Sequence, residues 1–295
     1  MDWERTKTVF ILAFLLLNII FASQLWLAPT FFDSTLYVSA EEVETKKTEL
    51  RYKSIEVAAE VPRRVQPQRI LTLSNPVLDW EMVARSMLGS GMISDLQPSN
   101  PQFLPRRFYS FKGEVVVGND GILLYTSKRT ASNETLTAEE ALAKAEEFLQ
   151  RTVGKPNDAV VGRIDKLQGG TWLVEYRQRW QRRDIETSWI WIRVDAQGVM
   201  EMEYYWADIV GFSGEKITTI PATGALTIIA DSLLPGTTIT QLHNSWYSKP
   251  VSAQQWHSYP VWVIEIGNGS KYYINAFTGD IEGNRNFRQE NPDKS

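Results

Sequence analysis

The sequence predicts an α+β protein: a single N-terminal transmembrane helix followed by an ectodomain of repeated helix-on-antiparallel-sheet modules. Three observations carry that expectation. Val9 to Ala28, VFILAFLLLNIIFASQLWLA, contains no formally charged residue. Two well-signalled amphipathic helices stand far apart in the rest of the 295-residue chain, each followed by runs rich in β-branched and aromatic residues. Those runs close on similar turns, so the order of elements repeats.

About twenty apolar residues at 1.5 Å rise cross the ~30 Å hydrocarbon core of a bilayer. Arg5 and Lys7 precede the run, and no Lys or Arg follows until Lys46. The Lys/Arg bias therefore places residues 1–8 in the cytoplasm, 9–28 across the cell membrane and the rest outside. Trp3 and Trp26 lie near the two ends, where amphipathic rings favour the headgroup zone. A cleaved signal peptide would have a shorter apolar region and a small-x-small site. Ile20-Phe21-Ala22 and Trp26-Leu27-Ala28 put bulky residues there, so the expectation is an uncleaved single-pass anchor. Asn18 sits mid-span, where an amide gains roughly 1 kcal/mol by bonding to a neighbouring helix. Phe14, Asn18, Ala22 and Leu25 share one helix face and form the candidate transmembrane contact.

Cysteine is absent, which excludes disulfides, thiol nucleophiles and thiolate metal sites. Trp, Tyr and Phe recur throughout, as in a folded chain rather than a disordered tail. A net charge of −4 weighs against nucleic acid or anionic lipid as the main partner.

Residues 29–45 read as a connector, within which Ser39-Ala40-Glu41-Glu42 has the capping-box pattern of a short helix ending near Arg51. A first module is expected over 46–133. Ile55, Val57 and Val61, stopped by Pro62, suggest a strand, and Ile70 to Leu73 another. Asp79 caps a helix through Gly89 with Trp80, Val83 and Met87 on one side. After a polar loop, Phe108 to Phe111 and Glu114 to Val117 read as one strand region. Asn119-Asp120-Gly121 then turns the chain back into Ile122 to Tyr125.

The second module, 134–213, opens with the clearest helix. Thr137 caps it, Glu140 completes the box, and Leu142, Ala145, Phe148 and Leu149 make its apolar stripe as far as Arg151. Strands are expected over Val160 to Ile164, Trp172 to Trp180, Thr187 to Asp195 and Val199 to Trp206. The third module, 214–285, has a helix from Pro221 to Leu234, with Leu226, Ile229 and Leu233 or Leu234 inward. Its strands fall at Thr238 to Trp246, Tyr259 to Ile266, Lys271 to Asn275 and Asp280 to Glu282. Asn268-Gly269 turns the third pair, and 286–295 reads as a disordered tail. Ala141-Leu142 aligns with Ala225-Leu226, and Val194-Asp195-Ala196 with Ile274-Asn275-Ala276. This form is similar to the PepSY-like modules of secreted bacterial proteins.

Catalytic patterns are scarce. His243 and His257 lack the convergent ligands of a metal site, so no cofactor or metal is expected. Asp79/Glu81 and Asp184/Glu186 alternate in a cap and a hairpin, which reads as surface charge rather than an acid–base pair across a cleft. No nucleophile elbow or phosphate loop is present, and no enzyme activity is expected. The stretch from Tyr176 to Arg183, followed by Trp189 to Arg193, is the most distinctive. Alternation puts Trp189, Trp191 and Arg193 on one face of a strand and Ile190, Ile192 and Val194 on the other. A sheet offers one face to its helix, so one row needs another cover. Either arginines of the neighbouring strand stack on the Trp row, or Arg177, Arg179, Trp180, Trp189, Trp191 and Arg193 form a protein-binding surface.

Met1-Asp2-Trp3-Glu4-Arg5-Thr6-Lys7-Thr8, running into Val9-Phe10-Ile11-Leu12-Ala13-Phe14, resembles the opening of the YycI family. The resemblance implies a membrane-anchored regulator that acts with a YycH-like protein on a sensor histidine kinase of the WalK (YycG) type and is linked to cell-wall homeostasis. The alternative is a wall-side PepSY-like module that inhibits or chaperones a secreted hydrolase.

Overall fold

The computed structural model describes residues 3–26, 36–95, 106–132, 134–251 and 253–285. These form a mixed α+β structure dominated by one large sheet, with five α-helices.

Local capping chemistry sets the helix starts. In α1 (Trp3–Trp26) the backbone is one continuous helix over most of the apolar run. α2 (Ala40–Tyr52) begins where Ser39 Oγ accepts from the Glu42 N–H at 3.0 Å. The expected box is only half made there, because the Glu42 carboxylate accepts instead from the Thr223 hydroxyl at 2.9 Å. α3 (Trp80–Leu88) starts at Asp79, whose carboxylate accepts from the N–H groups of Glu81 and Met82. α4 (Ala138–Arg151) carries the complete Thr137/Glu140 box. α5 (Ala222–Ala230) follows Pro221 and ends earlier than the apolar spacing suggests, leaving Leu233 buried and Leu234 79% exposed.

Among the described residues no helix is long and apolar enough to cross a membrane. Residues 27–35, which hold the end of the expected span and the first part of the connector, lie outside the described residues. So do the polar loop around residue 100, Asn133 and the tail 286–295.

Two stretches of the chain share one order of elements, a helix followed by a four-stranded meander. α4 lies over a meander of β9 (Ala159–Lys166), β10 (Trp172–Trp180), β11 (Arg183–Asp195) and β12 (Gly198–Tyr205), antiparallel throughout. α5 precedes an equivalent meander of β14 (Thr238–Tyr247), β15 (Gln255–Ile266), β16 (Lys271–Asn275) and β17 (Ile281–Arg285). In each unit a Trp of the second strand donates its indole N–H to the carbonyl just before the helix cap. Trp172 reaches Leu136 at 2.9 Å, and Trp262 reaches Ile220 at 3.0 Å. The two are register equivalents: Trp172 faces Val194 and Trp262 faces Ile274, each one residue before the closing turn. In those turns the Asp195 carboxylate accepts from the Gln197 N–H, and the Asn275 side-chain amide oxygen from those of Phe277 and Thr278.

Beyond β12 the sheet continues through β8 (Leu123–Ser127), β7 (Gly113–Val117), β6 (Arg106–Tyr109) and β5 (Ile93–Asp95). The single strand region expected over 108–117 is therefore two strands, separated where the Ser110 N–H bonds back to the Gly113 carbonyl. Two further features depart from the sequence reading. β13 (Asp208–Ile217) was not expected and pairs with β4 (Gln68–Ser74). β15 starts at Gln255; residues 255–258 pair with β4 and the remainder with β14.

Packing also crosses the boundary expected at residue 46. Val43 and Leu50 of α2, with Ile55 and Val61, share a core with Leu226 and Ile229 of α5 and with Trp262, Ile264 and Ile274. The segment around residues 56–57 (β2, Glu56–Val57) pairs parallel to β14. A separate core joins α3 and α4 to β6–β12. Trp172→Phe and Trp262→Phe should each cost about 1 kcal/mol, the worth of one hydrogen bond, and add nearly independently in urea unfolding. Loss of only a few tenths would mean that the repeated Trp bond does not hold the helix starts.

Candidate functional site

β11 alternates as its sequence predicts. Ile190, Ile192 and Val194 are buried in the core beneath α4, which leaves Trp189, Trp191 and Arg193 on the helix-free face. Cross-strand register lines up Arg163, Glu175, Trp191 and Glu203 in one row of that face, and Arg177, Trp189 and Tyr205 in the next. The meander β14–β17 has its own helix-free face, with Glu265, Lys271 and Arg285 in one row and Val263 and Tyr273 in another.

Each meander is a small sheet within the large one, joined to the other where β11 pairs parallel with β14 at Ile185 and Trp246, and the helix-free faces of the two meet and cover each other. Lys271 Nζ lies 2.9 Å from both carboxylate oxygens of Glu186, and the Tyr273 hydroxyl donates to the same carboxylate at 3.1 Å. The Arg285 guanidinium stands 3.7 Å from the Trp189 ring centre and 5.6 Å from that of Trp191. The cation over the Trp row therefore comes from β17, not from the neighbouring strand β10. The β10 arginines are engaged otherwise: Arg177 with Glu175 and Asp184, and Arg179 with Asp184 at 2.8 Å. Arg193 pairs with Glu201 across β12, and Trp180 meets Phe212 edge-on at 4.9 Å.

This placement changes the candidate surface. Trp189 is only 4% exposed, its indole N–H bonded to Glu203 at 2.7 Å, so it is not a free docking residue. Arg177, Trp180, Trp191 and Arg193 are partly buried, and of the six candidates Arg179 alone is exposed. Glu186, expected on the surface, is 4% exposed, and its partner Lys271 1%. The sequence reading missed Lys271, Tyr273 and Arg285 as partners of this row. The available signal was a charged residue inside an otherwise apolar strand, Lys271-Tyr272-Tyr273-Ile274.

Burial alone would raise the Glu186 pKa. The charges of Lys271, His243 and Arg177 and the Lys271 hydrogen bond overcome it and hold the value down to about 2. Burial pushes the Tyr273 hydroxyl well above its usual range. It also lowers His243, whose Nε2 stands 3.9 Å from Glu186. Glu265 is raised by burial, and its Oε2 has no hydrogen-bond partner among the described residues. The His257 ring lies 3.5 Å from the Thr72 hydroxyl, its cross-strand neighbour. Among the described residues no group of three or more His, Asp or Glu is placed to hold a metal ion. The arrangement is suited to holding two sheets in one register.

On α1, Phe14 and Asn18 line a shallow recess with Phe10, Ile11 and Leu15. Asn18 Nδ2 donates to the Phe14 carbonyl one turn back at 2.9 Å. This leaves its oxygen and second N–H for a neighbour. Ala22 is exposed on the helix, while the Leu25 side chain lies outside the described residues.

No family model and no curated protein sequence matches the chain. Among solved structures, an uncharacterized protein from Eubacterium rectale is similar over 81% of this chain and 98% of its own, at 11% identity and a TM-score of 0.49. The Bacillus megaterium YpeB C-terminal domain is similar over 72% and 98%, at 11% identity and a TM-score of 0.39. Likenesses this distant carry no argument about family or function.

Removing one partner of a buried pair strands the other. Lys271→Met should cost about 3–5 kcal/mol, and pairing it with Glu186→Leu should restore much of that loss. The folded pKa of Glu186 lies below its unfolded value of about 4.5. Its contribution to stability is therefore complete above pH 4.5 and disappears as pH falls through about 2. Glu186→Gln should flatten that acid limb in pH-dependent urea unfolding. An unchanged acid limb would show that the pair does not hold the sheets together.

Proposed function

We propose that this chain is a membrane-anchored regulator that acts by contact rather than catalysis. Its target is a sensor histidine kinase of the WalK type, and its co-regulator a YycH-like protein. The observation that carries this reading is the N-terminal segment: the Asp2-Trp3 and Lys7-Thr8 pattern leads straight into an uncharged stretch whose backbone is one unbroken helix to Trp26. PepSY-like modules fit the repeated helix-and-meander plan, and they serve here as the extracytoplasmic body. The intrachain cover of the Trp row moves the weight of partner recognition toward α1, since Trp189 is committed within the chain.

Membrane co-purification with a histidine kinase supports this reading, whereas co-purification with a secreted hydrolase supports the binding-module alternative. A reporter fused after Asp33 should be extracytoplasmic, with the N-terminal segment retained. Asn18→Leu should leave insertion intact while weakening helix association by about 1 kcal/mol, near fivefold. Kinase-dependent transcription and cross-linking at residue 18, read at constant protein level, measure this effect. If both are unchanged by Asn18→Leu and by replacing 9–28 with an unrelated anchor, coupling through the membrane is wrong.

A further inference from the structure

The hairpin joining β10 to β11 carries a feature that the sheet-to-sheet joint does not use. Its tip residues, Gln181 and Arg182, have φ of 47° and 66°. Tight hairpin turns of that hand favour Asn-Gly, because other residues are strained there. Here the strain holds two long polar side chains out in solvent. Arg183 follows, half-buried, with its guanidinium 5.3 Å from the Trp246 ring centre and one nitrogen donating to Gln68 Oε1 at 2.8 Å. Its other terminal nitrogen lies 3.5 Å from the Gln66 amide oxygen.

Arg64 approaches the same amide. With the oxygen turned toward it, Nε and Nη1 lie at 2.9 and 3.1 Å. With the amide turned so, its oxygen accepts twice from Arg64, while Arg183 keeps its bond to Gln68 and its place over the Trp246 ring. No carboxylate closes the gap: among the described residues Arg64, Arg182 and Arg183 make no ion pair. Two guanidinium groups thus converge on one neutral amide with no carboxylate paired to either, and exposed Arg182 precedes Arg183 in the chain. An oxyanion supplies the negative charge that the neutral amide lacks, and guanidinium forks suit phosphate.

We propose that Arg64, Arg182 and Arg183 form a site for the phosphate of anionic phospholipid headgroups, seating the ectodomain on the outer face of the membrane. The proposal rests on the membrane-anchor reading of α1. Chain length selects lipid as the source of the phosphate. Tyr37 pairs directly with Arg64 across β1 (Leu36–Tyr37) and β3 (Arg64–Val65). Ten residue steps, at most about 36 Å, tie Leu36 to the end of α1 at Trp26. Leu36 and Tyr37 are 60% and 68% exposed beside the arginines, an apolar and aromatic pair suited to the headgroup zone. The overall charge of −4 weighs against anionic lipid as a partner of the whole surface, but screening over ~8 Å at physiological salt lets a local cluster of arginines act by itself.

The test uses the full chain in nanodiscs of phosphatidylcholine, and of two parts phosphatidylcholine to one of phosphatidylglycerol. Hydrogen exchange is read at 64–66 and 180–183. Exchange at both segments should slow about fivefold or more with phosphatidylglycerol, and high salt should remove the effect. Arg64→Gln and Arg182→Gln, both on exposed residues, should each reduce apparent affinity for the anionic lipid about fivefold. Arg151→Gln, on α4, should leave it unchanged. Equal exchange in the two nanodiscs, or full protection in both arginine variants, overturns the proposal. Equal protection by inorganic phosphate over phosphatidylcholine nanodiscs overturns the assignment to lipid. Failure of the chain to co-elute with either nanodisc is a separate outcome: it overturns the anchor reading, and the lipid site with it.

Discussion

A sheet has two faces, and each repeated unit of this chain brings one helix to cover them. The rest of the structure follows from that shortfall. α4 and α5 each bury one apolar face, and the two remaining faces, too aromatic to leave in water, are turned against each other. Because both carry charge as well as aromatic rings, the joint is not an oily layer. It is a set of matched groups, with Lys271 and Tyr273 on Glu186 and Arg285 over Trp189. A buried ion pair adds little net stability over an apolar pair of the same volume. What it does penalise is a slipped register, which would leave a charge in the interior without its partner. The pair thus acts chiefly as a positional key between the two sheets.

The same economy appears at smaller scale in the repeated Trp bond. Pro221 offers no side-chain cap to α5, whereas Thr137 and Glu140 cap α4 fully. The indole of the second strand reaches the residue before the cap in both units. It fixes the helix start to the sheet whether or not the helix is capped by its own sequence.

Much of this was legible because it is local. Thr137 and Glu140 are three residues apart, and Asp195 and Asn275 bond to N–H groups two residues on. The alternation of Trp189 to Val194 needs only its own strand. Glu186 and Lys271 are 85 residues apart, and no period or cap signals which distant face will cover which. The alternation showed that one of its two rows needed another cover, but not that it was the Trp row or that β17 would supply it. The allegiance of α2 was hidden for the same reason: its Glu42 matches a box locally, yet the Thr223 hydroxyl of α5 takes the carboxylate. β13 escaped notice because Gly211 and Gly214 interrupt its pattern and most of its residues are exposed.

If the chain is the contact regulator proposed above, these constraints bear on how it would transmit a signal. An aromatic row left open would be a ready docking surface, with Trp and Arg as its energetic centre. Here Trp189 and Glu186 are covered within the chain, so any partner that used them would first have to part the two sheets and strand Lys271. The cost of an uncompensated buried charge makes that an expensive opening. On the proposed reading, the ectodomain therefore moves as one body, and its orientation is the variable a partner reads. Orientation is set at the end where the chain leaves α1, through β1, β3 and the arginines beside them. A helix packed on a kinase helix at one end of that linkage, and a body seated on the membrane at the other, would convert a tilt of the ectodomain into a rotation or shift of α1.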